Sequence, residues 1–232
     1  MNSDGGIHMT TQQGILFDFN GTLFFDTAFH ETAWRQYAWK LCGREVSDEE
    51  FRAYVHGRTN REILAHFVGE EALTPEAVER HGEAKEAIYR ELCLWHPEEF
   101  CLAPGAADYL DACRQKGVPI AIATSSGRSN VDFYIGHLGL LRWFDEHTIV
   151  YNDGTIASKP APDIYLRAAE RLGLPTAACT VFEDMPLGIA AARNAGAGRI
   201  VAVASAMSPD ALRALEGVDA VISDYRELLS FL

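Results

Sequence analysis

Four short stretches of this 232-residue chain carry side chains suited to one kind of chemistry. Asp18, Asn20, Gly21 and Thr22 follow the apolar run Gly14-Ile15-Leu16-Phe17. Thr124, Ser125 and Ser126 follow a second apolar run, Val118 to Ala123. Ser158, Lys159 and Pro160 come after Thr148-Ile149-Val150, and Glu183-Asp184 directly after Cys179-Thr180-Val181-Phe182. Together they supply a carboxylate nucleophile, hydroxyl and amide donors, one cation and an acidic pair. A phosphoryl group in transit spreads negative charge over its equatorial oxygens. Carboxylate-bound magnesium would screen that charge. Asp18, Glu183 and Asp184 could hold the ion, while Thr124, nearby amides and Lys159 could neutralise the remaining oxygens. Asp18 could then attack phosphorus. Taken singly, each group has an ordinary role. Asp18 and the Glu183-Asp184 pair could cap helices, Thr124 and Ser125 could satisfy turn backbone, and Lys159 could be a solvated loop lysine. The chemistry depends on all four stretches falling on one rim.

A parallel sheet would place them so, because ligands of open α/β sheets bind beyond the carboxyl ends of the strands. The run Gly14 to Phe19 reads as a buried parallel strand, and so do Val118–Ala123, Thr148–Val150, Cys179–Phe182, Arg199–Val203 and Ala220–Ile222. Helical patterns over Ala106–Lys116, Ser129–Leu138, Asp163–Leu172, Leu187–Ala195 and Pro209–Leu215 lie between the later strands. This alternation predicts a Rossmann-like doubly wound α/β sheet. The span from Thr27 to about Pro97 carries helical signals alone. Phe29, Ala33, Tyr37 and Leu41 share a face, Ser47 precedes an acidic first turn, and Thr74-Pro75 is a cap with proline at the first helical position. The expected organisation is a polar start over 1–9, an α/β core from 10–26 and 98–232, and a helical cap over 27–97. Linkers near Phe25-Asp26 and Leu102–Gly105 would act as hinges. Gly5-Gly6-Ile7-His8-Met9 reads like a cloning remnant before a natural start at Met9.

Composition narrows the partners. The chain is 48% hydrophobic and 23% charged, enough for a core and unlike a disordered chain. Its formal net charge of -13 would repel a polyanionic surface, so nucleic acid is not an expected partner. A small phosphate ester can still bind where a few cations converge. No apolar run spans a bilayer, so no membrane partner is expected. Five cysteines, an odd number without CxxC spacing, predict free thiols and a cytoplasmic setting. The sequence is compatible with a monomer or a weak homo-oligomer.

Four motifs in order resemble the haloacid dehalogenase superfamily, in its β-phosphoglucomutase-like branch: Asp18-Phe19-Asn20-Gly21-Thr22-Leu23, Ile122-Ala123-Thr124-Ser125-Ser126, Lys159-Pro160-Ala161-Pro162-Asp163, and Phe182-Glu183-Asp184 with Gly188-Ile189. The resemblance implies a Rossmann-like core with a mobile helical cap. It assigns Asp18 as nucleophile, and magnesium to Asp18, the Asn20 carbonyl and Asp184, with Glu183 close by. Thr124 and Lys159 would bind the transferring phosphate. Ser125, Ser126 and Arg128 are further substrate-side candidates. His30 and Trp34 stand where this branch keeps a histidine and a tryptophan, and Gly57-Arg58-Thr59-Asn60-Arg61 resembles its specificity loop. Cap closure would bring His30 and Arg58 toward Asp18.

Asn20 departs from the family pattern, which has aspartate there as the general acid and base. Asparagine cannot take that role at neutral pH. The chain was altered to trap a bound state, or is a natural variant using another group such as His30, or is a pseudoenzyme. The expected function is a phosphatase of small phosphorylated metabolites, sugar phosphates above all. The alternatives are a β-phosphoglucomutase-type mutase and a phosphosugar-binding protein. A phosphonate hydrolase would need a cap-loop lysine where Asn60 stands, and the cap's lysines are Lys40 and Lys85. A haloacid dehalogenase would not need the Glu183-Asp184 pair.

Overall fold

The computed structural model describes residues 13–55 and 58–231. The polar start over 1–9 and Gly57 of the specificity-like loop lie outside the described residues. The chain divides into two compact units, Met1–Phe25 with Leu102–Leu232, and Asp26–Cys101.

The first unit is built on β1 (Gly14–Phe17). Within the second unit run α1 (Thr27–Cys42), α2 (Asp48–Tyr54), α3 (Asn60–Val68) and α4 (Pro75–Trp95). The first unit resumes with α5 (Ala106–Gln115), β2 (Ile120–Ala123), α6 (Arg128–Leu138), β3 (Ile149–Val150) and α7 (Asp163–Arg171). It ends with β4 (Cys179–Glu183), α8 (Pro186–Asn194), β5 (Arg199–Val203), α9 (Pro209–Arg213), β6 (Ala220–Ile222) and a 3-10 segment, Tyr225–Phe231.

The six strands are parallel, in the order β3-β2-β1-β4-β5-β6. The chain winds outward from β1 in one direction through β2 and β3, then in the other through β4 to β6. The carboxyl ends of β1 and β4 therefore flank the switch point, where such sheets bind ligands. Both faces of the sheet are covered, which is why its strands read as unbroken apolar runs. Leu16 packs with Ala121, Val181, Ile164 and Ile189. Its neighbour Phe17 points to the opposite face, stacks on Phe182 at 5.2 Å and meets Tyr109, Phe144 and Tyr225 edge-on or tilted.

β1 stops at Phe17 although the apolar run continues to Phe19. The Phe19 carbonyl accepts from the amides of Thr22, Leu23 and Phe24, and this turn takes the chain out of the sheet. In the second unit Phe29, Ala33 and Tyr37 are buried as their spacing predicts, whereas Leu41 near the end of α1 is half-buried. Ser47 caps α2 by accepting from the Glu50 amide, and Thr74 caps α4 by accepting from that of Ala77. Thr59 and Glu62 close a capping box at α3.

Leu16→Ala tests the frame. Leu16 is fully buried on the central strand. The substitution should cost about 2–5 kcal/mol through lost burial and a residual cavity, read from the midpoint of chemical denaturation.

Candidate active site

The switch point gathers residues from four connections. Asp18 and Asn20 follow β1, Thr124 and Ser126 follow β2, Lys159 lies between β3 and α7, and Glu183 and Asp184 end and follow β4. Ligand oxygens of Asp18, Glu183 and Asp184 lie within 4.8 Å of one another, and all three residues are buried. Buried carboxylates repel unless compensated. Lys159 compensates two of them, its Nζ lying 2.6 Å from Asp18 Oδ1 and 2.6 Å from Glu183 Oε1. Burial alone would lower the Lys159 pKa. The charges of Asp18 and Glu183 outweigh it and hold the ammonium well above its ordinary value.

Glu183 is fixed on all sides. Its Oε1 also accepts from the Tyr165 hydroxyl at 3.1 Å. Burial, then the Glu183 charge, push that phenol well above its usual pKa, so it acts as a neutral donor. Its Oε2 accepts the backbone amides of Asp184 at 2.7 Å and Met185 at 2.8 Å. Thr22 donates to Asp184 Oδ1 at 3.5 Å. Two glycines permit this crowding. A β-carbon at Gly188 would overlap the Glu183 carboxylate, and one at Gly21 (φ +76°) would overlap that of Asp184.

Both ends of the Asn20 side-chain amide make hydrogen bonds. Its Oδ1 accepts from Ser126 Oγ at 2.8 Å and Thr124 Oγ1 at 3.3 Å, while its Nδ2 donates to the Tyr134 hydroxyl at 2.9 Å. Thr124 Oγ1 also accepts the Ser126 amide at 3.1 Å. Tyr134 is buried on α6 and stacks on Phe19 at 4.5 Å. Ser125 is exposed. Arg128, also exposed, pairs with Asp132 at 2.7 Å.

The second unit holds its own polar cluster. His30 stacks on Tyr89 at 4.0 Å, with Nε2 3.3 Å from Asp26 Oδ2 and Nδ1 2.7 Å from Lys85 Nζ. Tyr89 donates to Asp26 at 2.6 Å, and Lys85 pairs with Glu86 at 2.8 Å. Trp34 is buried, with the Lys85 ammonium 5.5 Å from its ring. Both ring nitrogens of His30 are thus engaged, so a donor role for His30 requires one of these contacts to break. Arg58 lies 3.6 Å from Glu62, and Arg61 pairs with Glu70. Asn60 opens α3, its amide nitrogen beside Gly82.

Sequence reasoning did not single out Tyr165, Tyr134, Asp26 or Lys85 as site residues. Tyr165 lies two residues beyond the Lys159–Asp163 motif, on the first turn of α7, but its hydroxyl direction is set by packing. Tyr134 reads as one more apolar position on α6. A lysine 2% exposed, such as Lys85, leaves no trace in periodicity.

Two substitutions test the geometry. Lys159→Ala leaves buried carboxylates uncompensated and should cost about 3–5 kcal/mol in metal-free buffer, with magnesium restoring most of it. Denaturation with and without magnesium checks this, and a lack of rescue would remove the acidic trio as a metal site. Tyr134→Phe takes the acceptor from the Asn20 amide and should cost about 1–3 kcal/mol, measured the same way.

The family model for haloacid dehalogenase-like hydrolases matches residues 12–196. Protein CbbY of Rhodobacter capsulatus is 44% identical over 96 residues, covering 41% of this chain and 42% of that protein. The matches span less than half the length of the first curated relatives. A phosphorylated carbohydrates phosphatase of Thermotoga maritima is 27% identical over 223 residues, 95% of this chain and 98% of that one. The crystal structure of a HAD hydrolase, family IA, variant 3, from Entamoeba histolytica superposes with a TM-score of 0.87 at 37% identity, covering 93% of this chain and 94% of the other. The residues matched by the family model include every member of the acidic, lysine-bridged rim, and the chain belongs to the haloacid dehalogenase-like hydrolases.

Proposed function

We propose that this hydrolase is a phosphatase of small phosphorylated metabolites, sugar phosphates in particular, and that it works through a phosphoryl group carried on Asp18. The observation that carries the reading is the Lys159 ammonium, 2.6 Å from both Asp18 and Glu183 beside a buried acidic trio. It offsets the Asp18 charge and holds that carboxylate beside a hydroxyl-rich loop. The Thermotoga maritima relative, whose alignment spans almost the whole chain, bears the name of a phosphorylated carbohydrates phosphatase.

An Asp18 carboxylate oxygen attacks phosphorus, and the bond to the ester oxygen breaks. Lys159 and the Thr124 hydroxyl offset charge on the transferring oxygens. Water then attacks the phosphoryl group, releasing phosphate and restoring the carboxylate. The cluster of hard oxygen donors suits magnesium, which Asp18, the Asn20 backbone carbonyl and Asp184 would hold with Glu183 close by. Bound there, it would neutralise charge between an anionic nucleophile and an anionic ester. The contacts of Asn20, a carbonyl oxygen taking two hydroxyls and an amide giving to Tyr134, leave it no acidic proton. A sugar alkoxide must therefore leave without help from position 20. His30, Trp34, Arg58, Asn60 and Arg61 would read the sugar, and Ser125 and Ser126 its outer oxygens.

Activated aryl or acyl phosphates, which leave without a proton, should phosphorylate Asp18 far faster than sugar phosphates turn over. Asn20→Asp should raise sugar-phosphate turnover roughly 10²-fold or more, the usual size of a general acid–base contribution. A phosphate-release screen with magnesium, run with intact-mass measurement on both forms, decides it. If Asn20→Asp gains nothing and no donor leaves a phosphoryl group on Asp18, the chain is better read as a phosphosugar-binding protein.

A further inference from the structure

A cation-rich cleft opens on the β3 side of the first unit. It has a volume of about 390 Å³ and is walled by Arg128, His147, Tyr151, Asp153, Arg167 and Arg171, among others. None of Asp18, Thr124, Lys159, Glu183 or Asp184 lines it. Three arginines from α6 and α7 face one opening in a chain whose net charge is -13. Such local convergence against a negative background has to be maintained against its surroundings.

The arginines are poised for exchange. Arg171 is exposed and makes no ion pair among the described residues. Arg167 lies 2.9 Å from Asp153 and 3.0 Å from Thr155 Oγ1, and Arg128 lies 2.7 Å from Asp132. Ion pairs as exposed as these contribute little, so a bidentate anion can displace them at small cost. Asp153 would not be stranded by the loss of Arg167. Its Oδ1 also accepts the Thr155 amide at 2.9 Å and the Thr155 hydroxyl at 2.5 Å. Arg128 further lies 5.8 Å from the Tyr151 ring, which makes an aromatic wall at one end. Glu146 is the cleft's other carboxylate, so cations still outnumber anions.

We propose that this cleft is an anion site separate from the Asp18 centre, and that it takes a small molecule carrying at least two phosphoryl or carboxylate groups. Arg167 and Arg171 are its main ligands, with Arg128 and His147 at its edges. The site is placed to influence the chemistry. The Asn152 amide donates to the Ser126 carbonyl at 3.1 Å, and Asp153 and Thr155, held by Arg167, belong to the connection that carries Lys159.

Inorganic pyrophosphate is the probe, titrated calorimetrically into the full chain with a chelator present. The parent and Lys159→Ala, the latter titrated at a temperature where thermal melting shows it folded without metal, should bind alike. Arg171→Glu, at an exposed position without a partner, should weaken binding about tenfold or more, the equivalent of one charged contact. Arg167→Ala should weaken it similarly, with thermal melting confirming that both variants fold. Undetectable binding by the parent overturns the proposal. So does unchanged binding by folded Arg171→Glu and Arg167→Ala, or loss of all binding in folded Lys159→Ala, which would put the anion in the Asp18 cradle.

Discussion

Two buried carboxylates, Asp18 and Glu183, approach the same ammonium, and Lys159 lies 2.6 Å from each. Two buried carboxylates this close would otherwise repel each other. Lys159 removes that penalty. It comes from the connection between β3 and α7, so the rim needs β3 as well as the central strands β1 and β4 in place. Tyr165 and two backbone amides then satisfy what Lys159 leaves of Glu183. These contacts fix the Glu183 carboxylate beside Asp18 and Asp184.

Close approach is a second constraint and follows from the first. Carboxylates can be packed this tightly only where neighbouring backbone lacks a β-carbon, at Gly21 and Gly188. Gly21 also supplies the positive φ of the turn that ends β1. The same two residues serve backbone path and electrostatics together.

Position 20 shows how environment selects chemistry. Ser126 and Thr124 give protons to its oxygen and Tyr134 takes one from its nitrogen, a pattern an amide satisfies with no net charge. A carboxylate in the same place would ask Tyr134 to turn its hydroxyl round and donate. In the other unit, Asp26 and Lys85 grip His30 from opposite ring nitrogens. The cluster orients the ring but leaves neither nitrogen idle. Asn20 is therefore held by neutral hydroxyls, whereas His30 sits between a carboxylate and a lysine.

Much of this was legible in order along the chain. Apolar runs and caps predict six strands, the helical span after Asp26 and the placement of Asp18, Thr124, Lys159 and Glu183-Asp184 at strand ends, because each depends on local periodicity and on the polarity change where a buried strand ends. Ser47 and Thr74 cap their helices for the same local reason. The stop of β1 at Phe17 was not legible, since three amides converge on the Phe19 carbonyl only after the turn has formed. Tyr165, Tyr134 and Lys85 were equally hidden. The two tyrosines look like core-facing positions in sequence and the lysine like a solvated one, and their polar atoms acquire partners 18, 114 and 55 residues away only through packing. Which groups could do chemistry was a property of the sequence. Which of them share a proton, a cation or a carboxylate was decided by the tertiary structure, because hydrogen bonds and Coulomb attraction act at distances that chain order does not record.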